Sequence, residues 1–166
     1  MKRIHIVGKK NSGKTTLIAE LVQHYTNLGH RVGTIKHTHH RHELDTPGKD
    51  SHRHRQAGAA VVGILSPGLN AAFWKPSAED ESSDPYRDLD RLFEPCDFVL
   101  VEGHYQIDGP KVEVWRAAAA AEPLAKEDTA ILAVITDDPV GVSVPVWSRS
   151  DLATLAERLV EQITAV

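Results

Sequence analysis

At 166 residues with no abrupt shift in composition, the chain is expected to form a single domain over residues 1–166 with a core large enough to be stable unaided. Hydrophobic residues at 41% and charged residues at 25% exclude a disordered, collagen-like or disulfide-stapled chain. A net charge of −4, from 19 Lys and Arg against 23 Asp and Glu, argues against nucleic acid or an acidic membrane as a general partner. The single cysteine, Cys96, cannot close an internal disulfide, and the first apolar stretch stops at Gly8. No signal peptide or membrane span is expected, and the cytoplasm is the expected compartment.

Ile4-His5-Ile6-Val7 reads as a short strand, followed by a turn-rich loop from Gly8 to Gly13. A helix is predicted next, with Leu17, Leu21, Val22, Tyr25 and Leu28 at helical spacing and Gly29 ending it. Residues 31–35 form a second predicted strand. This strand, loop, helix and strand order is the βαβ unit of a parallel sheet, so the fold class is α/β: a mostly parallel sheet flanked by helices. Residues 36–55 are polar and rich in His, Lys and Arg, with Pro47-Gly48 inside, and are expected to be mostly long loop. Four apolar runs, 59–65, 98–101, 131–135 and 142–146, are candidate buried strands. Residues 77–90 are acidic and turn-forming, and the alanine run 117–121 suits either helix or spacer. Ser150 is placed to cap a last helix with Leu152, Leu155, Leu159, Val160 and Ile163 on one face.

Gly8-Lys9-Lys10-Asn11-Ser12-Gly13-Lys14-Thr15, followed by Thr16, matches G-x-x-x-x-G-K-[ST] at every required place. The spacing lets successive backbone N–H groups curl around a phosphate, while the glycines permit dihedrals and a close approach that a Cβ would block. The helix N-terminus adds its positive end. Lys14 can reach the β and γ phosphates, and the Thr15 hydroxyl can ligate the bridging Mg²⁺. Both flanking elements that the motif requires are predicted, so a nucleoside triphosphate site follows.

The metal also wants an acidic partner. Glu102 stands at the carboxyl end of the apolar run 98–101, where ligands of parallel α/β sheets bind, whereas Asp97 stands at the opposite end and reads as a strand-start or turn residue. Asp45, in the loop after the second strand, suits either a metal-bound water or a plain surface position. Asp137 and Asp138 follow the run 131–135. A carboxylate there could accept the N1–H and N2–H₂ donors of guanine and reject adenine, and Asp137 is the candidate for this contact; it could equally cap a turn, since no N-K-x-D signature accompanies it.

Six of the ten histidines lie between His37 and His54. Imidazole is a common ligand for Zn²⁺, Ni²⁺ or Cu²⁺, but Lys36, Arg41, Lys49, Arg53 and Arg55 interleave and repel a dication. The same charges favour an anion. Lys36, His37, His39 and Gly48 are therefore candidates for contact with the nucleotide or with a second phosphorylated molecule. Metal storage and a merely solvated loop are the other two readings.

At Gly13-Lys14-Thr15-Thr16-Leu17, Lys36-His37-Thr38-His39-His40, Pro47-Gly48-Lys49-Asp50-Ser51 with Ala57-Gly58-Ala59, and Leu100-Val101-Glu102-Gly103, the sequence resembles the molybdopterin-guanine dinucleotide biosynthesis protein B (MobB) family. The first stretch is shared widely among nucleotide-binding proteins, and the second and third together are specific to the family. The resemblance implies a P-loop α/β fold, a homodimer, GTP with Mg²⁺, and an accessory role beside the guanylyltransferase that joins GMP to the phosphorylated pterin cofactor of molybdenum, with weak GTP hydrolysis at most. One departure stands out, because the family commonly follows V-E-G with an aromatic residue and Lys, where this chain has His104-Tyr105. Lys111 matches a second family lysine and is expected either to serve the phosphates or to be an exposed strand residue. Two rival readings share the phosphate loop: a metal-delivery GTPase with a histidine store, and a small-molecule kinase.

Overall fold

The computed structural model describes residues 1–40, 42–75, 84 and 86–164. Contacts gather in two compact units, one of Met1–Thr38 with Asp90–Val166 and one of His39–Leu89, and each is described by itself.

The larger unit holds strands β1 (Arg3–Val7), β2 (Val32–Lys36), β5 (Phe98–Glu102), β6 (Lys111–Val114), β7 (Ile131–Ile135) and β8 (Val146–Trp147). They form one sheet in the order β2-β5-β1-β6-β7-β8, every pairing parallel. The expected parallel α/β class is the one found. Strand alternation sorts the side chains: Ile4, Ile6, Leu100, Val112, Val114, Ala133 and Ile135 face a core shared with helices α1 (Lys14–Asn27) and α4 (Leu152–Thr164). Leu17, Leu21 and Tyr25 of α1 and Leu155, Leu159 and Ile163 of α4 fill it, each buried large side chain contributing roughly 1.5–3 kcal/mol. The Tyr25 hydroxyl donates to the Ala156 carbonyl at 2.7 Å and joins the two helices. Leu28, expected on the buried face, is exposed because α1 ends one residue earlier, at Asn27, and Gly29 turns the chain with φ 88°.

The opposite sheet face is covered by Val7, Ala125, Ile131 and Val134 with Tyr105, Trp115, Leu124, Val140, Val142 and Val144. The expected strand over 142–146 is therefore displaced: Val142 and Val144 pack in this cluster, and β8 pairs only Val146 and Trp147. The alanine run contains a 3-10 turn, Ala117–Ala119. Asp151, not Ser150, caps α4, since its carboxylate accepts the Thr154 N–H at 3.2 Å while the Ser150 hydroxyl turns toward Asp137. The short α3 (Asp90–Phe93) has no counterpart among the elements expected from the sequence, and β6, expected only as a possible exposed strand at Lys111, is buried throughout.

In the smaller unit, α2 (Asp50–Gln56) interrupts the expected long loop, and β3 (Val61–Ile64) pairs antiparallel with β4 (Ala71–Trp74). Residues 59–65 are thus not a buried strand of the main sheet: Val61 and Ile64 are exposed in a two-stranded ribbon. The run consists of apolar residues without alternation, which cannot tell a buried strand from an exposed one. Arg41 and most of the acidic segment, residues 76–83 and 85, lie outside the described residues.

Candidate functional site

The phosphate loop runs between β1 and α1 as its sequence requires. Gly8 has φ 140°, Asn11 64° and Gly13 96°, and a Cβ on Gly8 would stand 2.3 Å from the Val114 carbonyl of β6. Only glycine fits there, because the backbones of adjacent strand ends approach too closely for a side chain. The Leu17 N–H bonds the Gly13 carbonyl at 3.0 Å and opens α1. Lys14 folds back over the loop, its ammonium donating to the carbonyls of Gly8 at 2.9 Å and Lys9 at 2.7 Å. Burial pulls its amine below the ordinary lysine value and Lys36 adds to this, while Glu102 opposes it.

Glu102 ends β5, which lies between β2 and β1, with Lys36 and Ile6 as its register partners. This brings the predicted pair together: the Thr15 hydroxyl donates to Glu102 Oε1 at 2.8 Å. Lys36 Nζ reaches the same oxygen at 3.3 Å. One hydroxyl and one carboxylate side by side at the start of the loop helix are oxygen donors suited to a hard cation such as Mg²⁺. Asp97, as expected, is a turn residue at the other end of β5, accepting the Arg31 N–H at 2.9 Å.

Close after Lys36 and Glu102 in sequence come two members of a histidine group, His37 and His104, which nothing in the sequence brings together. His37 and His104 stack with ring centroids 3.9 Å apart and an interplanar angle of 6°, and His104 meets buried His5 edge-on at 6.0 Å. Burial pushes the His5 imidazole down to about 4; Arg3, His104 and Lys111 reinforce this, and a bond to the Gly103 backbone opposes it. His104 carries φ 61°, a left-handed conformation rare outside glycine. Periodicity places His5 in a strand, but only the parallel register brings it together with His37 and His104, which follow the ends of β2 and β5.

Lys111 serves neither role expected of it. It is buried, donates to the Tyr105 carbonyl at 3.0 Å and pairs with Asp128 at 3.5 Å. Its register partner is His5, two residues short of the strand's carboxyl end, so the amine faces the segment after Glu102 and not the loop. Buried Glu113 of the same strand accepts the N–H groups of Leu124 at 2.8 Å and Ala125 at 2.9 Å; nothing in its surroundings in sequence announced this.

A cleft of about 250 Å³ opens beside the phosphate loop, walled by Ser12, Gly13 and Thr16, by Trp115 and Arg116 after β6, and by the Thr136-Asp137-Asp138 turn after β7. Asp137 is a turn brace in its geometry. Its Oδ1 accepts the Ser148 hydroxyl at 2.7 Å and the N–H groups of Arg149 at 2.8 Å and Ser150 at 3.1 Å. These bonds, the Ser148 hydroxyl foremost, hold its carboxyl below the usual aspartate value.

In the smaller unit, buried Asp45 accepts the Thr46 N–H at 2.8 Å and the Ser51 hydroxyl at 2.9 Å through Oδ1. Arg55 and His52 both lean on Glu43, at 2.5 and 3.5 Å, which leaves Lys49 and Arg53 as the exposed cations of the 47–56 segment. Among the described residues no group of three or more His, Cys, Asp or Glu side chains is arranged to hold a metal ion.

Comparison with known proteins gives this arrangement a family. The profile described as molybdopterin guanine dinucleotide synthesis protein B, MobB, matches residues 3–137. The chain belongs to the MobB family. It is 33% identical over 151 residues to the molybdopterin-guanine dinucleotide biosynthesis adapter protein of Escherichia coli (strain K12), covering 90% of this chain and 86% of the relative. It is 36% identical over 138 residues to the adapter protein of the same name from Haemophilus influenzae, covering 82% and 75%. A crystal structure of a MobB protein homolog from Bacillus stearothermophilus superposes over the full length of both chains, with a TM-score of 0.64 and 28% identity. The MobB likeness thus spans both compact units and the phosphate loop, Glu102 and the Thr136-Asp137-Asp138 turn alike.

Proposed function

We propose that this protein is a GTP-binding adapter of molybdenum cofactor maturation, acting beside the guanylyltransferase that transfers GMP to the phosphorylated pterin. The observation that carries the nucleotide part is the 2.8 Å contact of Thr15 with Glu102 below a loop closed by Lys14. In this reading Gly8 to Thr16 wrap the triphosphate and Thr15 and Glu102 would hold Mg²⁺, with Asp45 kept as a separate candidate metal carboxylate in the smaller unit. Lys36, now on Glu102, moves to the γ-phosphate when nucleotide binds, with His37 beside it. The base lies in the 250 Å³ cleft, whose wall Asp137 braces.

His39, Gly48, Lys49 and Arg53 of the smaller unit bind the second phosphorylated molecule, the pterin, since exposed cations favour an anion. The names of the relatives support the adapter role. One nucleotide-binding domain over 1–166, a homodimer and a cytoplasmic location complete the proposal; among the described residues no helix is long and apolar enough to cross a membrane.

The experiment is calorimetric titration with GTP and ATP in Mg²⁺, followed by guanylyl transfer to the pterin by the purified transferase with and without this chain. Saturable Mg²⁺-dependent GTP binding and a faster or more complete transfer are expected. Absence of GTP binding ends the nucleotide reading, and an unchanged transfer ends the adapter one.

A further inference from the structure

We infer that Asp138, and not Asp137, is the carboxylate that reads the nucleobase, from the unequal hydrogen-bond loads of two adjacent acids on the wall of one cleft. The inference rests on the guanine-nucleotide reading above and adds its specificity residue.

Guanine offers N1–H and N2–H₂ side by side, so its reader must present acceptor capacity that the protein has not already used. An ionised carboxylate has about four lone-pair sites over two oxygens. Asp137 directs one oxygen at the Ser148 hydroxyl, the Arg149 and Ser150 N–H groups and, at 3.3 Å, the Ser150 hydroxyl. That oxygen is saturated and holds the carboxylate to the turn that precedes α4, so Asp137 has only Oδ2 left to offer, whereas the paired donors of guanine call for both oxygens of one carboxylate.

Asp138 carries a much lighter load. The Ala117 N–H donates to its Oδ2 at 2.7 Å, and its own N–H bonds the Thr136 hydroxyl at 3.0 Å. These two bonds fix the residue in place while leaving Oδ1 open among the described residues. Asp138 is also half-buried where Asp137 is exposed, so its bonds to a ligand compete less with water.

The rest of the cleft suits a base. Trp115 is pinned by its indole N–H on the Ala121 carbonyl at 2.7 Å, which holds a planar apolar wall beside Arg116. At about 250 Å³ the space is smaller than sites for whole drug-sized ligands and fits one bicyclic ring system, with the phosphates outside in the loop. Adenine presents a bare N1 lone pair where guanine has a donor, and a carboxylate repels it.

The test uses the full chain with GTP, ATP and xanthosine triphosphate (XTP) in calorimetry. Xanthine has a carbonyl in place of the N2 amine, so it pairs with an Asn amide and not with a carboxylate. Wild type is expected to prefer GTP over both other nucleotides. Asp138→Asn should weaken GTP by about 10- to 100-fold, the loss expected for charge-assisted hydrogen bonds, and strengthen XTP until the preference reverses. Asp138→Glu, which keeps the charge at the wrong reach, should lose GTP without gaining XTP and guards against a misfolded Asn variant. Asp137→Asn keeps an oxygen for the turn and should not reverse the preference.

A reversal by Asp137→Asn, or an unchanged GTP to XTP ratio in folded Asp138→Asn, overturns the assignment. Equal wild-type affinity for GTP and ATP overturns the guanine reading beneath it, and is seen without any substitution.

Discussion

Thr15 Oγ1 and Glu102 Oε1 stand 2.8 Å apart although 87 positions separate them in the chain. The hydroxyl begins α1 and the carboxylate ends β5, so the contact exists only because β5 inserts between β1 and β2 in the parallel order. Glu102→Ala removes the acidic half of this pair. Nucleotide affinity in Mg²⁺ should fall by on the order of tenfold or more, and the gain in affinity that Mg²⁺ gives wild type should largely vanish. Titrations with and without EDTA check this, and an undiminished Mg²⁺ effect removes Glu102 from the metal site.

Lys14→Ala should abolish triphosphate binding while the circular dichroism stays native. Among the described residues the ammonium bonds loop carbonyls and Ser12, so it serves charge and not the core. Retained GTP affinity in a folded variant refutes the role.

Gly8→Ala should be the more damaging change of the two loop positions. Its Cβ would sit 2.3 Å from the Val114 carbonyl, a backbone atom that cannot rotate away, at a φ of 140°. The melt should show a loss of roughly 2 kcal/mol or more, the scale of overpacking plus backbone strain, together with loss of nucleotide binding. A wild-type melting curve contradicts the close approach.

His5 gives a pH dependence of known sign. Its folded value lies near 4, against an ordinary histidine value of 6.5 in the unfolded chain. Between these values the unfolded chain binds the extra proton, so this contribution to stability is complete above pH 6.5 and is lost as pH falls toward 4. The swing is on the order of 3 kcal/mol at 1.36 kcal/mol per unit. Denaturant melts of wild type and His5→Leu from pH 7 to 4 should diverge in slope, the variant losing less on acidification. Parallel curves show that His5 does not titrate as its burial implies.

The elements legible in sequence were those with local signatures. The phosphate loop, α1 and the parallel class followed from a spaced motif between two short apolar segments, and Glu102 followed from its place at a strand end. What stayed hidden depended on register. His5 and Lys111 face each other across β1 and β6, and Lys111 finds Asp128 there, through pairings that no local window contains. Residues 59–65 were misplaced for a related reason, since a run of apolar residues does not say which sheet it joins. Asp137 and Asp138 were both visible, but only the 148–150 turn, folding back onto Asp137, separates the brace from its less burdened neighbour.

Glu113 lies outside the phosphate loop's motif, yet β6 carries it one residue before Val114, whose carbonyl crowds Gly8, and the charge of Lys9 in the motif acts on its carboxyl. By clasping the amides of Leu124 and Ala125, it ties a segment with little regular structure to the strand against which the loop is shaped. Those two amides should therefore exchange with deuterium slowly despite lying in a short irregular turn, and slow further when nucleotide stiffens β6. Glu113 thereby anchors the packed 124–126 turn, whose Ala125 is itself buried, to the strand that shapes the phosphate loop.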